Sequence, residues 1–107
     1  MTPWIIEFIA KAEKDIESLD HTQRIQVNKA ILKVSKNPLP KNEGGYGEPL
    51  GNKNSYNLTG LLKIKLLKLG IRVVYQLVRT DEIMKIIVVA ARADDEVYEI
   101  AAKRIGT

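Results

Sequence analysis

Three strand-like segments follow one another almost without interruption in this chain, at about Leu61 to Leu67, Ile71 to Arg79 and Ile83 to Arg92. Only the stretch around Gly70 and the Thr80-Asp81-Glu82 triplet punctuate them. Connections this short join antiparallel neighbours, so the sequence predicts two consecutive hairpins here. The third segment holds Ile86, Ile87, Val88 and Val89 in an unbroken apolar run, which is expected of a strand lying centrally or covered on both faces.

The flanking sequence supplies helices. Residues 3 to 9 alternate as a first strand, with Trp4, Ile6 and Phe8 on one face and Ile5, Glu7 and Ile9 on the other. The period then changes: Ile9, Ala12, Ile16 and Leu19 form the stripe of a short amphipathic helix. Asp20 followed three residues later by Gln23 has the pattern of a capping box, opening a second helix with Val27, Ala30, Ile31 and Val34 inward and Pro38 at its end. Residues 37 to 60 are dense in Gly, Pro and Asn and read as a long surface loop, with Tyr46 and Tyr56 as its anchors. After Arg92, Asp94 or Asp95 can cap a last helix with Val97, Ile100, Ala101 and Ile105 inward and Tyr98 beside that stripe. The order β-α-α-β-β-β-α predicts an α+β domain over residues 1–107, its helices packed on one face of a mainly antiparallel four-stranded sheet.

Charge narrows the function classes. The formal net charge is +4, and between residues 55 and 80 the chain carries Lys63, Lys65, Lys68, Arg72 and Arg79 with no Asp or Glu. A local basic strip suggests a polyanion site. There is no cysteine, which removes disulfides and thiolate metal sites, and His21 is the sole histidine, so a metal site and a two-histidine ribonuclease are both unexpected. No apolar stretch approaches a bilayer span, and the N-terminus lacks a basic n-region, so a soluble, unprocessed cytoplasmic chain is expected. G-x-S-x-G and Walker motifs are absent, and Gly44-Gly45-Tyr46-Gly47 does not lie between a strand and a helix.

Side chains two apart on a strand share a face, so Lys63 and Lys65 point together while Leu62, Ile64 and Leu66 point into the core. Arg72 joins the lysines if the hairpin sets it opposite Lys65, and goes to the other face if the register slips by one residue. The first register is expected, because it keeps Arg72 on a solvated face. Like charges across a sheet repel, so the cluster is either a phosphate site or a lysine-guarded edge. The lack of any carboxylate on the hairpin favours the phosphate.

These residues carry a resemblance. The run K-I-K-L at 63–66, G-I-R-V-V-Y at 70–75, a strand ending in Arg92, and D-E-V-Y-E-I-A-A-K-R-I at 95–105 resemble, in order and spacing, the second half of RelE toxins of the RelE/ParE superfamily. The likeness is most specific from about Leu58 to Ile105, and the order of elements extends it over the chain. It implies a ribosome-dependent mRNA endoribonuclease that needs no metal or other cofactor, works on mRNA in the ribosomal A site, and is inhibited by a RelB-type antitoxin. The family's basic pair matches Lys63 and Lys65, its two arginines match Arg72 and Arg92, and its tyrosine matches Tyr98. On this reading Lys65, crowded by like charges, is the base for the 2′-hydroxyl. Lys63 and Arg72 stabilise the phosphorane, Arg92 attends the leaving oxygen, and Tyr98 stacks on or orients a base. Lys68 and Arg79 would add substrate-binding charge. The long segment before the lysine pair departs from the shorter connection of RelE members. Two other classes stay open: a ParE-like inhibitor of DNA gyrase without nuclease activity, and a basic nucleic-acid-binding module with no chemistry.

Overall fold

The computed structural model describes residues 2–53 and 56–106. Among them the chain forms β1 (Ile5–Phe8), α1 (Ala10–Glu17), α2 (His21–Ser35), a 3-10 turn at Lys41–Glu43, β2 (Glu48–Lys53), β3 (Tyr56–Leu66), β4 (Ile71–Val78), a second 3-10 turn at Arg79–Asp81, β5 (Ile83–Ala90) and α3 (Asp94–Arg104). The strands make one sheet in the order β1-β5-β4-β3-β2. β1 runs parallel to β5 and the other pairs are antiparallel, so the α+β class and the two predicted hairpins hold.

Local chemistry explains the first elements. The Asp20 carboxylate accepts from Gln23 N at 2.8 Å, and the Gln23 side chain accepts from Asp20 N at 3.1 Å, which closes the expected capping box. The box starts α2 directly after the short break that ends α1. Ala12, Val27, Ile31 and Val34 then pack on Leu62, Val73, Tyr75, Met84, Ile86 and Val89, with Trp4, Ile6, Phe8 and Ile16 at the margin.

Two expectations are corrected. The sheet has a fifth strand, because β2 comes from the segment read as a loop. Its Pro49 and Gly51 flank a register shift against β3. Pro49 is tolerated because β2 is an edge strand, where its missing N–H need break no ladder bond, and Gly51 takes the left-handed φ of 66° at the irregularity. Leu50, almost fully buried, pins it in place. The approach to β2 is held by the Tyr75 hydroxyl, which donates to Pro38 O at 2.7 Å, and burial pushes that phenol's pKa up. Gly47 lies directly against this hydroxyl and Leu62, where a Cβ would overlap both. Of the tyrosines expected to anchor the segment, Tyr46 is exposed with Lys33 above its ring at 5.6 Å, and the side chain of Tyr56 lies outside the described residues.

The helices also cover both faces of the sheet. Opposite α1 and α2, α3 buries Val97, Tyr98, Ala101 and Ala102 against Leu58, Leu61, Val74, Ile87 and Val88. The unbroken Ile86–Val89 run is the sequence trace of this: β5 lies between β1 and β4 with apolar neighbours on each side. A bulge opposite Val74 and Tyr75 gives β5 one extra residue, Ile87. Its carbonyl accepts from Arg104 at 2.9 Å.

Arg104 also makes the link between the two helical layers. β1 ends opposite Ile86, and beyond that point the Val89 N–H donates to Asp15 Oδ2 at 3.0 Å. The same carboxylate receives Arg104 through two bonds, at 2.6 and 3.2 Å. A largely buried ion pair thus wraps the sheet edge where the strand stops, and fixes the C-terminal end of α3.

Candidate active site

The β3–β4 hairpin decides the site. Lys65 pairs with Arg72, Lys63 with Val74 and Leu66 with Ile71, so Arg72 shares the lysines' face, and residues 67–70 close the turn with Gly70 at φ 66°. That face is also the one on which α3 lies, so the cations are not on an open sheet. α3 brings Asp94 and Tyr98 down onto them.

Three cations converge on one carboxylate. Asp94 Oδ1 accepts from Arg72 Nε, while Oδ2 lies 3.4 Å from Lys65 Nζ and 3.8 Å from Lys63 Nζ. Arg72 also donates through Nη1 to the carbonyl of Arg92 at 2.6 Å, which holds the short link between β5 and α3. Partial burial works against the ionised Asp94, but the Arg72 hydrogen bond and the charges of Lys63, Arg72 and Lys65 outweigh it and hold the carboxyl below the usual range. Asp94 was expected as a helix cap. The N-cap is instead Ala93, with no side-chain capping bond, and the Asp94 side chain is given over to the cations.

Lys63 is the most enclosed of the three, with its side chain 14% exposed. Its Nζ donates to the Tyr98 hydroxyl at 2.7 Å. The ammonium stands 5.4 Å from the ring centroid, beyond the hydroxyl and in the plane of the ring, so this is a hydrogen bond rather than a cation over a π-face. Burial alone would lower the Lys63 pKa, but the Tyr98 hydroxyl and the Asp94 and Glu48 carboxylates prevail and raise it. Held by the Tyr98 hydroxyl and close to the Asp94 carboxylate, the Lys63 ammonium is placed to stabilise an anion.

The other residues singled out in the sequence divide. Tyr98, expected to stack on or orient a base, is 4% exposed and packed between α3 and the sheet, so its ring offers no open face for stacking here and its hydroxyl is the part that reaches the cluster. Arg92 stands at the rim, exposed, its guanidinium donating to Glu96 at 3.1 Å. Lys68 sits exposed on the hairpin turn. Arg79 lies at the far end of β4 from Arg72, roughly 20 Å away along the strand, and clamps Glu43 through bonds of 3.0 and 2.8 Å. It braces the 3-10 turn before β2 and does not join the cluster. The residue that sequence reasoning missed is Asp94. Its signal was present: Asp94 precedes Tyr98 by one helical turn, so a helix that aims Tyr98 at the lysines aims Asp94 there too.

Fold and site together define a small α+β domain in which two lysines and an arginine near the turn of one hairpin converge on the carboxylate of Asp94. No protein-family model matches the chain. It is 30% identical over 102 residues to the mRNA interferase toxin RelE of Escherichia coli, a match spanning 95% of this chain and 97% of the relative. The mRNA interferase RelE of Shigella flexneri matches to the same extent. Among solved structures, a mutant E. coli RelE toxin in the free state superposes with a TM-score of 0.70 at 28% identity, covering 97% of this chain and 99% of that one. A mutant E. coli RelE bound to an antitoxin RelBc peptide gives 0.68 at 26% identity, covering 96% and 98%. The chain belongs to the RelE family of toxins.

Proposed function

We propose that this protein is the toxin of a type II toxin–antitoxin pair, a cytoplasmic ribosome-dependent mRNA endoribonuclease inhibited by a RelB-type antitoxin. The observation that carries the reading is the convergence of Lys63, Lys65 and Arg72 on a single carboxylate, because donors arranged to hold one anion at close range suit a phosphate equally well. The relatives' name, mRNA interferase, and the antitoxin peptide bound to E. coli RelE support the activity and the partner.

Cleavage proceeds by attack of the 2′-hydroxyl on the adjacent phosphorus. The O2′–P bond forms, the P–O5′ bond breaks, and the products are a 2′,3′-cyclic phosphate and a 5′-hydroxyl. Lys65, set opposite Arg72 and beside Lys63 and freed of Asp94 when a phosphate takes the cations, acts in its amine form as the base for the 2′-hydroxyl proton. Arg72 and Lys63 neutralise the charge that builds on the phosphorane, with the Tyr98 hydroxyl holding the Lys63 ammonium in place. Arg92 attends the leaving oxygen by charge, and water protonates that oxygen to the 5′-hydroxyl while the proton taken up by Lys65 returns to solvent. The exposed i,i+4 pair of Arg92 with Glu96 holds it only weakly, so it can swing to the substrate. Positioning and electrostatics each contribute about a hundredfold or more, and the ribosome supplies the in-line geometry of the message.

Translation of a defined mRNA in a purified system, followed by primer extension, tests the proposal. Cuts within the A-site codon that vanish in Lys65→Ala and Arg72→Ala are expected. An intact message, together with trapped gyrase–DNA complexes, would overturn it in favour of a ParE-like poison.

A further inference from the structure

Asp94 has a position that catalysis by the cations alone does not explain. Both of its oxygens are used, one by Arg72 and the other by Lys63 and Lys65, and these are the donors a phosphate would need. The carboxylate makes no capping bond to its own helix. A phosphate and this carboxylate cannot share the three donors, since both are anions and the donors point to one place. We infer that Asp94 is a specificity-determining residue, a tethered carboxylate that fills the phosphate position in the free protein and yields it only to RNA held in place by other contacts. The inference rests on the reading of the cluster as the phosphate site.

The physical basis is a competition between a tethered and a free anion. Because Asp94 is joined to the site by its own backbone, its effective concentration over the cations is on the order of millimolar or higher. A loose phosphate or a short RNA at micromolar concentration loses to it. A message fixed by contacts elsewhere presents its phosphate at a comparable effective concentration and can win. The side chain has somewhere to go: it is 33% exposed, and residues 91–93, which lead into α3, lie at the surface. Displacing it alone would leave Arg72, Lys63 and Lys65 repelling one another, so the carboxylate leaves only as a phosphate takes over as their counter-ion. The carboxylate thereby keeps a strongly cationic site from binding RNA indiscriminately, at the expense of affinity for every anion.

The test compares wild type, Asp94→Asn and Glu99→Gln. Glu99 is a carboxylate on the same helix that pairs with Lys103 at 3.3 Å, and it controls for net charge alone. The probe is a fluorescent five-nucleotide RNA with 2′-O-methyl groups, which cannot be cleaved, read by anisotropy at fixed salt. Asp94→Asn is expected to bind about tenfold tighter or more, and Glu99→Gln to stay within about threefold of wild type. Asp94→Ser serves as a second variant should the amide disturb folding, with circular dichroism reporting the fold of each. Equal affinity for a folded Asp94→Asn and Glu99→Gln overturns the inference. If wild type cuts no message on ribosomes while Asp94→Asn still gains affinity, the nuclease reading falls and the anion exchange stands. If wild type cuts and Asp94→Asn gains nothing, the reverse holds.

Discussion

Replacing Tyr98 by phenylalanine removes one oxygen and leaves the ring packed beneath α3. That oxygen accepts a 2.7 Å bond from Lys63, whose side chain is only 14% exposed and cannot recover full hydration. Loss of a hydrogen bond to a charged group costs roughly 1.5–3 kcal/mol. Asp94, still 3.8 Å from the ammonium, offsets part of it, which leaves about 1–2 kcal/mol. If the same energy is lost in holding Lys63 against the phosphorane, cleavage slows by about five- to thirtyfold. Urea unfolding followed by circular dichroism measures the first quantity, and single-turnover cleavage on programmed ribosomes measures the second. Tyr98→Leu separates hydroxyl from ring. Wild-type stability and rate in Tyr98→Phe, with losses only in Tyr98→Leu, would refute the reasoning and assign the residue's part to its aromatic face.

Further outcomes follow from the same contacts. Arg104→Met strips the Asp15 carboxylate of its cation at a largely buried edge, with an expected loss of about 2–4 kcal/mol in urea unfolding; a loss under about 1 kcal/mol would remove the latch between the helical layers. Tyr75→Phe deprives the Pro38 carbonyl of its donor and is expected to cost about 1–2 kcal/mol in the same assay, with unchanged stability counting against the anchoring of β2. Because the folded Asp94 carboxyl sits below its unfolded value of 3.8, its contribution is present above that pH and is lost as the pH falls through the folded value. The urea midpoints of wild type and Asp94→Asn should therefore keep a constant difference near neutrality and converge in acid, whereas a difference independent of pH would argue against the ion cluster.

How much was legible in the sequence depended on whether a feature was local. The capping box at Asp20 and Gln23, the stripe of α2 and the hairpin that sets Lys65 opposite Arg72 each follow from residues close in the chain. The register could be read because a slip of one residue would have buried Arg72. β2 was hidden because Pro49 and Gly51 read as loop residues, and only the free edge of β3 and the burial of Leu50 make a strand of them. The side of the sheet that α3 takes is not written in its own stripe. It follows from packing against Leu61, Val74 and Val88, and it turns an open basic face into a partly roofed one. Once α3 lies there, Asp94 falls on the lysines. The hairpin itself carries no acid, and its counter-ion arrives from more than twenty positions further along the chain.

In the proposed reaction Lys63, Lys65 and Arg72 hold the phosphate whose bond to O5′ is broken by the neighbouring 2′-hydroxyl. Single-turnover cleavage of an A-site message carrying a single 2′-deoxy substitution at the cut position tests it most directly. Wild-type protein should cut the all-ribose message and spare the deoxy one, while Arg72→Ala, folded by circular dichroism, should cut the ribose message about a hundredfold more slowly or worse. Cleavage of the deoxy message at the ribose rate, or a wild-type rate in Arg72→Ala, would contradict the phosphate site.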